Sequence, residues 1–587
     1  MSDQRNLFIA VGISFLILLA FEVFYNGPRY EDEMAKQQQM MDESGAPAPI
    51  ASEGSVPTPS TVPSLTPGDI PSGSLGAERP LTRAEAIEAT PRVTIETNEI
   101  SGSLSLIGGR IDDIVLSQYH ETLDPTSPEI VLLSPPLSPD AYFARYGWVS
   151  SDKNMPVPDD KTLWKSNSST LSPGNPVTLS WDNGQDLRFE RLIEVDENFM
   201  FTITQRVENS GSETVSLNPY GLISRSNTPK TQGFYILHEG PLGVFDDTLK
   251  EVDYDDLQED RIVKQATTGG WLGITDKYWL VALAPTQNVP VETRFAYSET
   301  AGKPKYQADF LGTAQSLPPG GKASSTSNLF AGAKIVQLLD AYSETYGIAR
   351  FDLAVDFGWF YFLTKPIFYV LGYFHSLFGN FGLGILALTV IMRLIMFPLA
   401  NKSFRSMNQM KKLHPKMIEM RERFADDKAR LNQEMMALYK SEKVNPAAGC
   451  LPMVVQIPVF FALYKVLFVS IEMRQAPFYG WIHDLSAPDP TTMFNLFGLI
   501  PWTPPSLLHI GVWPLLMGLT MFLQQKLNPP PADPVQAKIF MFLPFVFTIM
   551  LANFPAGLVI YWAWNNILSI AQQWFLMRRM NEEPAKA

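Results

Sequence analysis

The chain has 587 residues, 45% of them hydrophobic and 18% charged, with a formal net charge of −14. Residues 1–350 hold 26 Lys and Arg against 46 Asp and Glu, whereas residues 351–587 hold 20 against 14. An acidic, polar half joined to a basic, apolar half excludes a single soluble globule, a disordered chain and an ordinary basic nucleic-acid binder.

Residues 7–25, LFIAVGISFLILLAFEVFY, form an apolar run with Glu22 near its end. About 19 residues at ~1.5 Å each reach roughly 28 Å, near the hydrocarbon thickness of a bilayer. A cleaved signal peptide would be shorter and followed by a small-x-small site, but FEVFYNGPRYEDE follows here. The segment 1–25 therefore reads as an uncleaved transmembrane anchor. Residues 26–90 are rich in Pro, Ser, Ala and Glu (APAPI, VPTPS) and read as a flexible linker that buries too little apolar surface to order itself.

From residue 91 to 345 the texture is that of short strands: RVTIETNEI, RIDDIVLSQY, PVTLSWDN, LRFERLIEV and MFTITQRVEN, broken by Gly108-Gly109, Asn183-Gly184 and Gly269-Gly270. This spacing predicts an antiparallel β-sandwich. A sugar-processing enzyme would need paired carboxylates; acids are plentiful, but no pair stands out, and the chain reads as a non-enzyme.

Beyond the sandwich, residues 350–380 are aromatic-rich and contain Lys365-Pro366. Apolar spans are predicted at 381–400, 452–472, roughly 505–525, 539–554 and 557–577. Residues 401–443 carry 11 Lys and Arg against 6 Asp and Glu, which places this loop in the cytoplasm by the positive-inside rule. Lys526 and Lys538 flank the next inner loop, and Arg578-Arg579 follow the last span. These clusters share one side if 350–380 lies in the interface as an amphipathic helix. Six transmembrane helices result, five of them in 381–587, with both termini cytoplasmic and the sandwich periplasmic.

In the loop, Met407, Met410, Met417, Met420 and Phe424 recur at roughly helical spacing, and Leu431, Met435 and Leu438 do so after a turn near Asp426-Asp427. This predicts a helical hairpin over 401–443, with Pro415 kinking its first arm. Its methionines either zip the arms together or offer an adaptable apolar surface; its surplus charge suits anionic lipid headgroups or ribosomal RNA.

Arg393 lies in LTVIMRLIMFPL, about seven residues and ~10 Å from the predicted cytoplasmic end of its span. A mid-helix Arg costs about 3 kcal/mol on insertion scales, and no other span supplies an acid at that depth. Either it snorkels to the inner headgroups or it faces a hydrophilic groove. Thr389, one turn earlier, shares its face; Gln456 with Phe460, Tyr561 with Asn565, and Trp562 with Asn566 are further i, i+4 pairs. Each polar group could instead bond a neighbouring helix, but together with the cation they favour the groove. There is no GxxxxGK[ST] motif, Cys450 is the sole cysteine, and the six histidines lack metal spacing, so no nucleotide, disulfide, metal or other cofactor is expected.

The segment MRERFADDKARLNQEMMALYKSEKVNPAAGCLPMVVQIPVFFALYKVL, then MRQAPFYGWIHDLSAPDP, the Arg393 span and FPAGLVIYWAWNNILSIAQQ resemble the YidC membrane protein insertases of Gram-negative bacteria, in the YidC/Oxa/Alb family. RVTIETNEI and LIGGRIDDIVL extend the likeness more loosely to the sandwich. The resemblance implies a five-helix core with a groove centred on Arg393, substrate contacts at Thr389, Gln456, Phe460, Tyr561 and Trp562, and a periplasmic β-supersandwich. It implies insertion and folding of nascent inner-membrane proteins, alone or with the Sec translocon and its accessory subunits. Two departures stand out. Lys465 replaces an uncharged aromatic and is expected to snorkel outward, and the short tail after Arg579 leaves only weak or indirect ribosome contact. The alternative class is a small-solute transporter or channel, against which stands the lack of paired internal repeats.

Overall fold

The computed structural model describes residues 81–582 except 153, 232–236, 301, 425–426, 443, 445–450, 499, 501–508 and 528–533. The expected anchor, the linker up to residue 80 and Cys450 lie outside the described residues. Helix α1 (Arg83–Glu88) lies within the stretch read as linker and carries its own start signal. Thr82 and Glu85 form a reciprocal capping box, Ala86 is buried, and Arg83 pairs with Asp113 of the sandwich.

Two sheets follow, of eleven and nine strands among the described residues. Their pairings are antiparallel apart from the short Thr170–Leu171 strand, which runs parallel to Arg92–Glu96. Alternation explains the inward faces: in Leu187–Val195, the odd positions Leu187, Phe189, Ile193 and Val195 are buried, and Arg191 joins them. Strand Met200–Asn209 pairs with that strand on one side, Phe201 opposite Val195, and with Lys322–Ala333 on the other, Met200 opposite Phe330. A tight approach needs glycine at 270, with φ +80°, where a Cβ would stand 2.0 Å from the Val244 carbonyl oxygen. Helix α2 (Tyr254–Asp260) buries Tyr254 and Leu257 on the sandwich.

Helix α3 (Val336–Thr345) continues the last strand and extends the core. Phe330 packs edge-on against Phe199, Tyr342 and Phe351, and Phe351 against Trp271. The apolar cluster then runs on without a gap through Phe357, Ile367, Phe368 and Leu371 into the helical part. This half contains α4 (Tyr361–Phe378), α5 (Phe381–Ile395), α6 (Phe397–Arg423), α7 (Lys428–Ser441), α8 (Leu451–Val469), α9 (Val512–Leu527), α10 (Pro534–Met550) and α11 (Ala556–Glu582).

Helix α4 turns Thr364, Ile367, Phe368 and Leu371 inward and leaves the apolar side chains Phe362, Tyr369, Tyr373 and Leu377 exposed. Among the described residues, no single helix is long and apolar enough to cross a membrane; α5 and α6 pass that test jointly and are bent by 65°. The bend corrects the predicted span at 381–400, which breaks at Met396. Pro398 sits in the first turn of α6, where its missing N–H costs least, and the ring disfavours continuing α5 through it. Pro415, the expected kink, lies inside α6, which runs through it as one element, and is exposed.

Candidate functional site

Helices α5, α8 and α11 bring the predicted polar residues together. The α5 break moves Arg393 into the last turn of its helix, rather than seven residues from the end, so its cation complements the C-terminal carbonyls. Its Nε donates to Asn565 Oδ1 at 2.9 Å, and Nη2 donates to Asn565 Oδ1 at 2.7 Å and to the Asn565 carbonyl at 3.1 Å. Nη2 also donates to Ser569 Oγ, whose own hydroxyl donates to the Asn565 carbonyl at 2.7 Å. Asn565 and Ser569 stand one turn apart on α11, a spacing that could have flagged Ser569, which the sequence reading missed. Among the described residues, no carboxylate pairs with Arg393, and its Nη1 has no protein acceptor.

A second contact joins α8 to α11: Gln456 donates to the Tyr561 hydroxyl. Phe460 meets Trp562 edge-on with ring centroids 4.8 Å apart, and Trp562 also packs on Phe547 of α10. Arg393, Asn565, Gln456, Tyr561, Phe460 and Trp562 thus line one polar-aromatic seam. Thr389 does not offer its hydroxyl to it. The side chain is buried and donates to the Ile385 carbonyl of its own helix at 2.6 Å. Asn566 likewise turns away, donating to Thr520 Oγ1 of α9 at 3.3 Å. In these two cases, the polar group bonds its own or a neighbouring helix.

The hairpin of α6 and α7 is zipped by Leu413, Met417 and Val444, with Met435, Leu438 and Tyr439 packed around them. Met417 and Met435 therefore belong to the arm contact, whereas Met407, Met410 and Met420 are half-buried and Met436 is exposed. Asp427 caps α7 by accepting from Arg430 N at 3.0 Å, and Lys416 pairs with Glu442 at 2.8 Å across the arms.

At the other end of α8, Lys465 pairs with Asp356 at 2.7 Å. Just beyond the helix, Glu472 accepts from Val336 N at 3.1 Å, meeting an orphan donor at the start of α3. Burial raises the Glu472 carboxyl to about 7. Arg474 donates to the His120 carbonyl and lies over the rings of Tyr278 and Trp279. These contacts fasten the sandwich to the end of the helix that carries Gln456 and Phe460.

Comparison with known proteins now adds to the geometry. The family described as YidC periplasmic domain matches residues 92–370, and the 60Kd inner membrane protein family matches residues 373–583. A membrane protein insertase YidC of Methylobacterium radiotolerans is 49% identical over 597 residues, covering 98% of this chain and 95% of that protein. One of Mesorhizobium japonicum is 50% identical over 589 residues, covering 99% and 96%. A crystal structure of an active YidC insertase with its first transmembrane domain resolved is 16% identical, covering 82% of this chain and 92% of that one, with a TM-score of 0.33. A galactose mutarotase related enzyme of Lactobacillus acidophilus covers 41% of this chain at 14% identity and a TM-score of 0.29. Matched from end to end by relatives near half identity, the chain belongs to the YidC family of membrane protein insertases.

Proposed function

We propose that this chain receives nascent inner-membrane proteins at the Arg393 seam, inserts them into the bilayer and assists their folding, alone or beside the Sec translocon. The observation that carries this reading is the neutral setting of a cation among apolar helices: Arg393 is bonded to an amide and a hydroxyl, so its charge is oriented but not cancelled. In a low-dielectric wall such a charge attracts acidic and polar residues more strongly than it would in water. It holds the hydrophilic flank of a client part-way into the membrane while apolar segments pass sideways into lipid, driven by burial at about 25 cal/mol per Å². No nucleotide and no covalent step are involved.

In this reading, residues 7–25, α5, α8, α9, α10 and α11 are the six transmembrane segments and α4 lies in the interface. Both termini and the α6–α7 hairpin are cytoplasmic, and the sandwich is periplasmic. The hairpin meets lipid headgroups, incoming clients and, weakly, the ribosome. The test is site-specific crosslinking from Phe460 and Trp562 to stalled nascent chains, together with insertion of a client whose translocated tail is charged. Crosslinks confined to the client's hydrophilic flank support the seam as its path. Their absence from both positions, with solute counterflow in vesicles of purified protein, replaces the insertase with a transporter.

A further inference from the structure

We infer that the sandwich carries an oxyanion site in which Nε and Nη2 of Arg145 grip a carboxylate or phosphate side-on. The site lies on the eleven-stranded sheet, away from the seam. Ile111 stands opposite Ala144, Leu222 opposite Arg145, Asp309 opposite Leu222, and Arg294 opposite Asp309. Alternation therefore sets Arg110, Arg145, Leu222, Asp309 and Arg294 in one row on the face opposite Ala144. All four charged members of that row are buried, Arg145 to 3% exposure and Asp309 to 0%.

Three of the four have partners. Arg294 forks onto Asp309 through Nε and Nη2, with Gln307 donating to the same carboxylate at 2.7 Å. Arg110 donates to the Asp160 carbonyl at 3.0 Å and lies 3.6 Å from Asp112, an acid it shares with Arg92. Arg145 differs: among the described residues its Nε and Nη2 are buried without a hydrogen-bond acceptor. The charges that interact with it include Arg110, Arg191 and Asp159. Arg191 is also a buried guanidinium without a carboxylate, spent on the carbonyls of Gly109 and Tyr146. Asp159 accepts from the Thr162 hydroxyl and Lys161 N through Oδ1 and makes no hydrogen bond to Nε or Nη2 of Arg145.

A buried cation with two unused donors is a costly state for a fold to hold, and an unseen ion is a standard resolution of it. The chemistry of the ion follows from the donors. Nε–H and Nη2–H lie on one edge of the guanidinium plane and point in parallel, which matches two oxygens on one centre rather than a spherical halide. The Tyr220 hydroxyl, on the same face two residues from Leu222, is also buried and unpartnered among the described residues.

The test uses the full chain in detergent, dialysed free of oxyanions, with thermal unfolding followed while acetate or phosphate replaces chloride at constant ionic strength. The unfolding midpoint should climb with the logarithm of one oxyanion's concentration, as ligand linkage requires. In Arg145→Met the apparent affinity should fall by roughly tenfold or more, the worth of a charge-assisted hydrogen bond. Arg145→Lys, which keeps the charge but not the fork, should weaken binding less. A response to acetate assigns a small carboxylic acid, and one to phosphate alone assigns inorganic phosphate. Wild-type protein indifferent to both overturns the inference whether or not the variants fold. So does a response equally strong in Arg145→Met, which would place the anion elsewhere.

Discussion

Replacing Arg393 by Ala separates two roles that the geometry leaves entangled: a clamp between α5 and α11, and a charge offered to clients. Bonds to a charged donor are worth about 1.5–3 kcal/mol each, so the contacts to Asn565 and Ser569 hold the helices together by about 3–6 kcal/mol gross. Against this stands the desolvation of the cation, about 3 kcal/mol at a helix centre and less in a final turn. Stability should therefore fall by no more than about 3 kcal/mol in Arg393→Ala. Insertion should fall much further. A client carboxylate about 4 Å from the guanidinium is drawn by about 4 kcal/mol at an effective dielectric of 20; even half of that is more than tenfold. Asn565→Leu reverses the pattern, since the charge stays while its principal acceptor is lost. It should cost more stability than Arg393→Ala and leave most insertion intact. The assays are thermal unfolding in detergent and insertion, by purified protein in liposomes, of a client with an acidic translocated tail. Equal insertion by wild type and Arg393→Ala refutes the argument, as does an Asn565→Leu protein that folds well and inserts as poorly as Arg393→Ala.

Glu472→Gln tests the junction between α8 and α3. The native carboxyl titrates near 7 against 4.5 for the ordinary group, so the folded chain keeps a proton that the unfolded chain has released. The contribution is full below about pH 4.5 and lost as pH rises towards 7. The stability difference between wild type and variant should shift by up to about 3 kcal/mol across that window, and denaturant melts showing a flat difference contradict it. In the sandwich, Asp309→Ala strands buried Arg294 and should cost about 3–5 kcal/mol, whereas Asp309→Leu with Arg294→Met should recover most of it; circular-dichroism melts of the full chain decide. In the hairpin, Leu413→Ala should cost about 2–5 kcal/mol and open the arms to limited proteolysis, whereas Met436→Ala at an exposed position should stay within about 0.5 kcal/mol. Equal cleavage of the two variants contradicts the zipper.

Period-two alternation made the sandwich legible, and it did so even where the inward residue is charged: Arg191 takes the buried slot between Phe189 and Ile193 because the register permits nothing else. Apolar runs likewise located the helices of the second half. What periodicity lacks is azimuth relative to a neighbour. It placed Thr389 and Arg393 on one face but could not show that the Thr389 hydroxyl would turn back to Ile385. The acceptors of Arg393 lie 172 and 176 residues away, and the mate of Lys465 lies 109 residues away, distances over which a single sequence carries no pairing signal. Pro398 was visible from the start. The span was drawn through it because hydropathy averages over a residue whose effect is on the backbone.

The break at Met396 and the neutral cradle solve one problem together. An arginine in the middle of a continuous apolar helix needs a carboxylate or a path to the headgroups, and either one removes its field from the seam. Ending α5 two residues later sets the guanidinium against unpaired carbonyls, which lowers the cost of its charge without pairing it. An amide oxygen, a backbone carbonyl and a hydroxyl then fix its plane through Nε and Nη2, leaving Nη1 without a protein acceptor among the described residues. Lysine, a point charge with no such plane, could not be held at three acceptors while still presenting a donor. The residue type, the helix end and the chemistry of its partners are three separate choices, and all three keep a positive charge in place while leaving it available.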